Sequence, residues 1–141
     1  MFFFKKASNR EDAKGEKEVV QDSASVQAFP AELLEIDREL GLSYCMNMED
    51  FYLEMQGEFC NQAAEYLPKL EEHFNAEDWK QYAVVAHALK GNSLNIGASN
   101  FSKYSLQHEM AGKEENVDFI KKEYAGYVQA LKALMDELQN Q

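Results

Sequence analysis

Two prolines, two cysteines and no long apolar run stand out in this 141-residue chain, and each scarcity removes a class of protein. With so few prolines and few clusters of β-branched residues, helix is favoured over strand. Cys45 and Cys60 lack metal-type spacing and are too few for a disulfide framework, and each lies within an apolar helical pattern. Both read as buried reduced thiols, and no metal site is expected. Nothing approaches the ~20 apolar residues of a bilayer-spanning helix. The opening Met1-Phe2-Phe3-Phe4-Lys5-Lys6 falls short of the ~7–15 apolar residues of a secretory signal core. It reads as a loose tag or a small docking tip. The expectation is a soluble, cytoplasmic protein with no membrane partner.

Basic residues are also in short supply, 14 against 25 acidic for a net charge of −11. A surface this acidic repels phosphate backbones, so nucleic acid is excluded as a partner, and a basic amphipathic face for anionic membranes is missing. The length suits one domain. Residues 1–29 balance five basic against five acidic side chains without apolar periodicity, and are expected to be a flexible leader. Residues 30–141, with nine basic and twenty acidic side chains, are expected to fold, starting at Pro30.

Five helical segments are predicted. A short one covers Ala31 to Cys45. A long one runs from about Met48 to Phe74, with Phe51, Met55, Phe59, Ala63, Tyr66, Leu70 and Phe74 on one stripe and Pro68 as a kink or loosened point. The third begins near Asp78 as a cap, buries Trp79, Tyr82, Ala86, Leu89, Ser93 and Ile96, and ends at Gly97, which can adopt positive φ. A fourth is capped by Ser99 or Asn100 and turns Phe101, Tyr104 and either Leu106 or His108 inward, ending by Gly112. The fifth starts near Asn116 and carries Val117, Ile120, Tyr124, Val128, Leu131, Met135 and Leu138 on one face. Short connections between such helices favour antiparallel neighbours. The predicted fold is all-α, an up-and-down antiparallel four-helix bundle with an additional short N-terminal helix.

One absence is local. The thirty positions from Trp79 to His108 contain no acidic residue, while Lys80, Lys90 and Lys103 remain. Clearing carboxylates from a region lowers the repulsion felt by an incoming anion, and lysines add attraction. Within this window the third helix leaves Lys80, Val84, His87 and Gly91 opposite its buried stripe. His87 is therefore predicted to face solvent, where a neutral imidazole is a competent nucleophile. Lys90, one turn on, can neutralise part of a charge placed on the ring. A mid-helix glycine costs about 1 kcal/mol relative to alanine; Gly91 is explained if its missing side chain lets a partner approach the imidazole. The plain alternative is a surface histidine beside a helix glycine.

From Ile36 to about Met110 the sequence resembles histidine-containing phosphotransfer (HPt) domains, intermediates of multistep phosphorelays. The matching pieces are Ile36-Asp37, Gly41-Leu42, Asp50-Phe51-Tyr52, Phe59, Asp78-Trp79 and, at the centre, Ala86-His87-Ala88-Leu89-Lys90-Gly91-Asn92-Ser93 with Gly97-Ala98. The resemblance implies that His87 accepts a phosphoryl group, Lys90 steadies it, and Val84, Gly91, Lys80 and Asn92 meet the docking partner. Asn92 stands where most of these domains have a small residue. Several relatives carry a residue, often glutamine, that bonds the histidine ring from twenty-two positions on. Here it is Glu109, whose carboxylate can accept from the ring Nδ1–H and orient Nε2; helix packing or surface exposure are its alternatives. Lys103 and Lys113 would extend a positive rim.

The implied partners are response-regulator receiver domains and a hybrid sensor histidine kinase. This chain would act as a monomeric carrier with no ATP site and no cofactor of its own, Mg²⁺ being supplied by the receiver. The main rival is a helical interaction module that binds receiver or kinase domains without phosphotransfer. A histidine kinase is disfavoured because His108-Glu109 lacks the proline of a phosphoacceptor box and the chain has no room for an ATP domain. A di-iron bundle needs Glu-x-x-His pairs, and Leu70, Val84 and Ser105 stand three residues before the histidines.

Overall fold

The computed structural model describes residues 29–140, and all the regular structure among them is helical. A 3-10 turn at Ala31–Leu34 precedes α1 (Arg38–Tyr44), α2 (Glu49–Asn75), α3 (Trp79–Asn95), α4 (Ser99–Lys113) and α5 (Val117–Gln139). Each of α2 to α5 packs on its neighbour in the chain, and α5 closes the ring against α2. With three-residue connections at 76–78, 96–98 and 114–116, this is an up-and-down antiparallel four-helix bundle. The predicted leader lies outside the described residues apart from Phe29, which packs partly buried against the core.

The three connections share one construction. Each helix ends on a residue of positive φ, Glu77 (55°), Gly97 (87°) and Glu115 (54°). The next N–H then donates back to a carbonyl five residues earlier: Asp78 to His73 (2.9 Å), Ala98 to Ser93 (2.9 Å) and Asn116 to Ala111 (2.8 Å), which satisfies orphan helix-end carbonyls. Two of the following helices start on a side-chain cap, Asp78 accepting from the Gln81 N–H and Asn116 from the Phe119 N–H. Gly97 is the connection that has to be glycine, because a Cβ there would sit 2.1 Å from the Asp37 carbonyl oxygen.

That close approach explains two departures from the sequence reading. The predicted helix Ala31 to Cys45 is broken at residues 35–37. Asp37 leaves helical geometry to cap α1 through the Leu40 N–H at 3.0 Å, and its own N–H donates to the Gly97 carbonyl at 2.8 Å. The cap of α4 is Ala98, without a side-chain bond, instead of Ser99 or Asn100. Ala98 is fully buried, where a polar cap would be desolvated. The Asn100 side chain donates instead to the Glu32 carbonyl (3.0 Å) and to Glu35 Oε1 (3.1 Å), tying the 3-10 turn to α4.

The third helix buries its predicted stripe, from Trp79 to Ser93, with Ile96 at its end. On α2 the predicted stripe holds at Phe59, Ala63 and Leu70, but at the N-terminal end Tyr52 and Gln56 are buried while Phe51 is exposed. Tyr52 takes the inner place because its hydroxyl donates to the Ile96 carbonyl at 2.8 Å and Gly41 makes room for its ring. Pro68 is accommodated within a continuous α2. On α5 the buried face is wider than predicted and includes Tyr127, Ala130 and Leu134, since this helix packs on both α2 and α4. Cys45 and Cys60 are buried and unpaired.

Candidate functional site

His87 stands on the outer face of α3 with 65% of its side chain exposed. Its surroundings follow from how closely α4 approaches. At Gly112 a Cβ would lie 2.8 Å from the Trp79 carbonyl oxygen and 2.9 Å from Ala83 Cβ, so the missing side chain lets α4 lie against α3. Further along, the Lys90 carbonyl accepts hydroxyls from Ser93 (3.1 Å) and from Ser102 of α4 (2.9 Å). These contacts clamp the helices on both sides of His87 and set Glu109 directly beside its ring.

Glu109, the first acidic residue after the acid-free window, has only 4% of its side chain exposed. Its Oε2 lies 3.0 Å from His87 Nδ1 and 2.9 Å from Lys113 Nζ, one turn away on α4. Lys90 Nζ stands 3.0 Å from Oε1, an ion pair off the line of a well-aligned hydrogen bond. Burial alone raises the Glu109 pKa. The close contacts of Lys113, Lys90 and His87, with the Lys90 charge, more than offset this and bring it down to about 2. Glu109 is therefore ionised at neutral pH and accepts only, so a neutral His87 ring carries its proton on Nδ1 and keeps the Nε2 lone pair free.

Beside the ring is a cleft of about 420 Å³ lined by Lys80, Ala83, Val84, His87, Glu109 and Lys113. Val84 is 57% exposed, and a Cβ on Gly91 would meet nothing within 4 Å, so the surface at His87 is open. Lys80, Val84, His87, Lys90, Gly91, Glu109 and Lys113 thus come together. Two predicted residues do not. Lys103 projects from another side of α4, into a cleft with Pro30, Leu33 and Glu123. Asn92 is half-buried and sits about 140° around the helix from His87, at 100° per residue.

The sequence reading missed other parts of this face. Leu94, seven residues after His87 and so on the same side of α3, is 37% exposed. Elsewhere, at the corner where α1 meets α2, Tyr44, Met46, Met48 and Phe51 are exposed. Seven-residue spacing could have found Leu94; the corner depends on tertiary placement of α1. His108, one of two inward alternatives for α4, is the one that turns in, while Leu106 is exposed. Its ring stacks on Tyr127 at 3.9 Å and its Nδ1 lies 2.9 Å from the Tyr82 hydroxyl. Burial pushes its pKa down to about 3, so this second histidine is a neutral core residue.

Fold and site define a helical bundle that displays the His87 imidazole at its surface, oriented by a buried carboxylate and ringed by lysines. A family model described as Hpt domain matches residues 54–141, more than half of the chain, and the chain belongs to this family. The match begins within α2, leaving α1 and the 3-10 turn outside it. No curated protein and no solved structure matches the chain. Membership gives it a role in phosphorelay signalling, in a family of phosphocarriers without an ATP site whose partners are the receiver domains of two-component systems. Among the described residues no helix is long and apolar enough to cross a membrane.

Proposed function

We propose that this chain takes a phosphoryl group onto His87 Nε2 from the aspartyl phosphate of one receiver domain and passes it to the aspartate of another. The observation that carries this reading is the 3.0 Å contact between His87 Nδ1 and the buried Glu109 carboxylate. It holds the proton on Nδ1, aims Nε2 outward and supports the positive charge that develops on the ring as the N–P bond forms. In the step, the Nε2 lone pair attacks phosphorus in line, and the bond from phosphorus to the carboxyl oxygen of aspartate breaks. The electron pair leaves with the aspartate, and Nδ1 keeps its proton.

Lys90 and Lys113 both contact Glu109 in the resting chain, and are close enough for either to turn toward a phosphoryl group on the ring. Val84, Gly91 and Lys80 form the surface that meets the receiver, and the exposed Leu94 extends it. Glu109 acts as a positioning residue. The chain has no cofactor; the receiver brings Mg²⁺ and the acidic residues that hold it. A hybrid sensor histidine kinase stands upstream, and the chain works as a cytoplasmic monomer. Incubation with a phosphorylated receiver and Mg²⁺ tests this reading. An acid-labile, base-stable label is expected on the wild type and none on His87→Gln. Receiver binding without label on the wild type would establish a docking module that does not transfer phosphate.

A further inference from the structure

At both Gly91 and Gly57 an added Cβ would meet nothing within 4 Å. The first sits beside His87. The second lies in the middle of α2, where it costs about as much helix stability as Gly91 does and has no part in the phosphotransfer face. It borders a groove of about 350 Å³ between α2 and α5, lined by Leu53, Gln56, Gly57, Cys60, Leu138 and their neighbours. In the ring of helices this seam is opposite the α3–α4 seam that holds His87. Leu53 is 49% exposed, and Leu138 of α5 faces it across the groove lining. The groove thus offers apolar surface to the side chains of a bound segment.

The flanks define the charge of that segment. From Glu49 to Pro68, α2 carries Glu49, Asp50, Glu54, Glu58 and Glu65 and no basic residue; from Ala133 to Gln139, α5 adds Asp136 and Glu137 and again no basic residue. An occupant with apolar side chains and a cationic end is called for. The chain contains such a segment in Phe2-Phe3-Phe4-Lys5-Lys6. We propose that this N-terminal tip docks on its own domain, in the α2–α5 groove around Gly57, with phenylalanine against Leu53 and Leu138 and the lysines facing the acidic flanks. The proposal is independent of phosphotransfer. Distance is no obstacle: Phe4 and Phe29 are 25 positions apart, a reach of roughly 80 Å when extended, whereas α2 is about 40 Å long. The 3-10 turn after Phe29 packs on α4 and α5, so the described residues begin beside α5, one wall of the groove. Closing so long a connection adds little entropy cost over a shorter one. The cleft near Phe29 between α4 and α5, whose lining holds Glu32 and Glu123 beside Lys103, is the competing site for such a tip.

Amide NMR spectra of the full chain and of a variant with Phe2→Ser, Phe3→Ser and Phe4→Ser test the proposal. The amides of Leu53, Gly57, Asn61 and Gln139 are expected to shift between the two, to the same extent at all protein concentrations. A synthetic peptide of residues 1–8, added to the variant, should restore the original positions, and less so at high salt. Gly57→Gln, which fills the groove with a better helix former, should abolish the difference between the two tips. Unchanged amides at the groove, shifts confined to Lys103 and Tyr104 or to the His87 face, or shifts that vanish on dilution as a contact between copies would, each overturn it.

Discussion

Replacing Glu109 by glutamine keeps an oxygen within reach of the His87 ring and removes the charge that holds two lysines. The carboxyl titrates at about 2 instead of the usual 4.5, which taken whole corresponds to about 3 kcal/mol. The Lys113 and His87 side chains are 59% and 65% exposed and share that energy with water, so about 1–2 kcal/mol is expected. Because the folded-state pKa lies below the unfolded one, this stabilisation is fully present above pH 4.5 and is lost as pH falls toward 2. Urea unfolding of wild type and Glu109→Gln should therefore differ by about 1–2 kcal/mol at pH 7, with the gap narrowing below pH 4.5. His108 also titrates in acid, but it does so in both proteins and cancels from the difference. A variant as stable as wild type at pH 7, or a gap that ignores pH, would refute the electrostatic account of this cluster.

Three further outcomes follow from the same physical reasoning. His108 is neutral in the folded chain down to about pH 3 and titrates near 6.5 when released. Stability should fall with pH across that interval by up to about 1.4 kcal/mol per unit, and His108→Phe should flatten the slope; parallel pH profiles would count against it. Glu115 holds positive φ at an exposed position, so Glu115→Gly should raise stability by up to about 1 kcal/mol, while Gly97→Ala, driven into the Asp37 carbonyl, should be among the most destabilising single changes. Equal effects in thermal unfolding would show that the Gly97 contact is not tight. Gly91→Gln should leave stability equal or up to about 1 kcal/mol higher and slow transfer from a phosphorylated receiver; unchanged transfer would show that the open surface at Gly91 is not used.

Much of the fold was readable because helix periodicity and capping are local properties. Asp78, Asn116 and Gly97 mark boundaries by their own chemistry, and the stripe of α3 repeats without interruption. The break at residues 35–37 was not readable, since it depends on Asp37 meeting a loop sixty residues away. Tyr52 displaced Phe51 from the interior for a similar reason: both fit a helical stripe, and the choice is made by the distant Ile96 carbonyl and the space above Gly41. At the candidate site, the outward position of His87 and its nearness to Lys90 and Gly91 are consequences of one helix. Glu109 was left open between ring contact, packing and exposure, because its position depends on how closely Gly112 lets α4 approach. Lys103 belonged to the acid-free stretch in sequence, yet helix rotation carries it to another face.

The central claim is that His87 Nε2, and no other atom of the chain, receives the phosphoryl group while Glu109 retains the Nδ1 proton. Long-range proton–nitrogen NMR of the imidazole, recorded before and after transfer from a phosphorylated receiver, measures this directly. The account predicts an Nδ1–H ring before transfer and coupling of phosphorus to Nε2 alone afterwards. Phosphorus on Nδ1, or a phosphorylated chain whose His87 ring is unchanged, would contradict it.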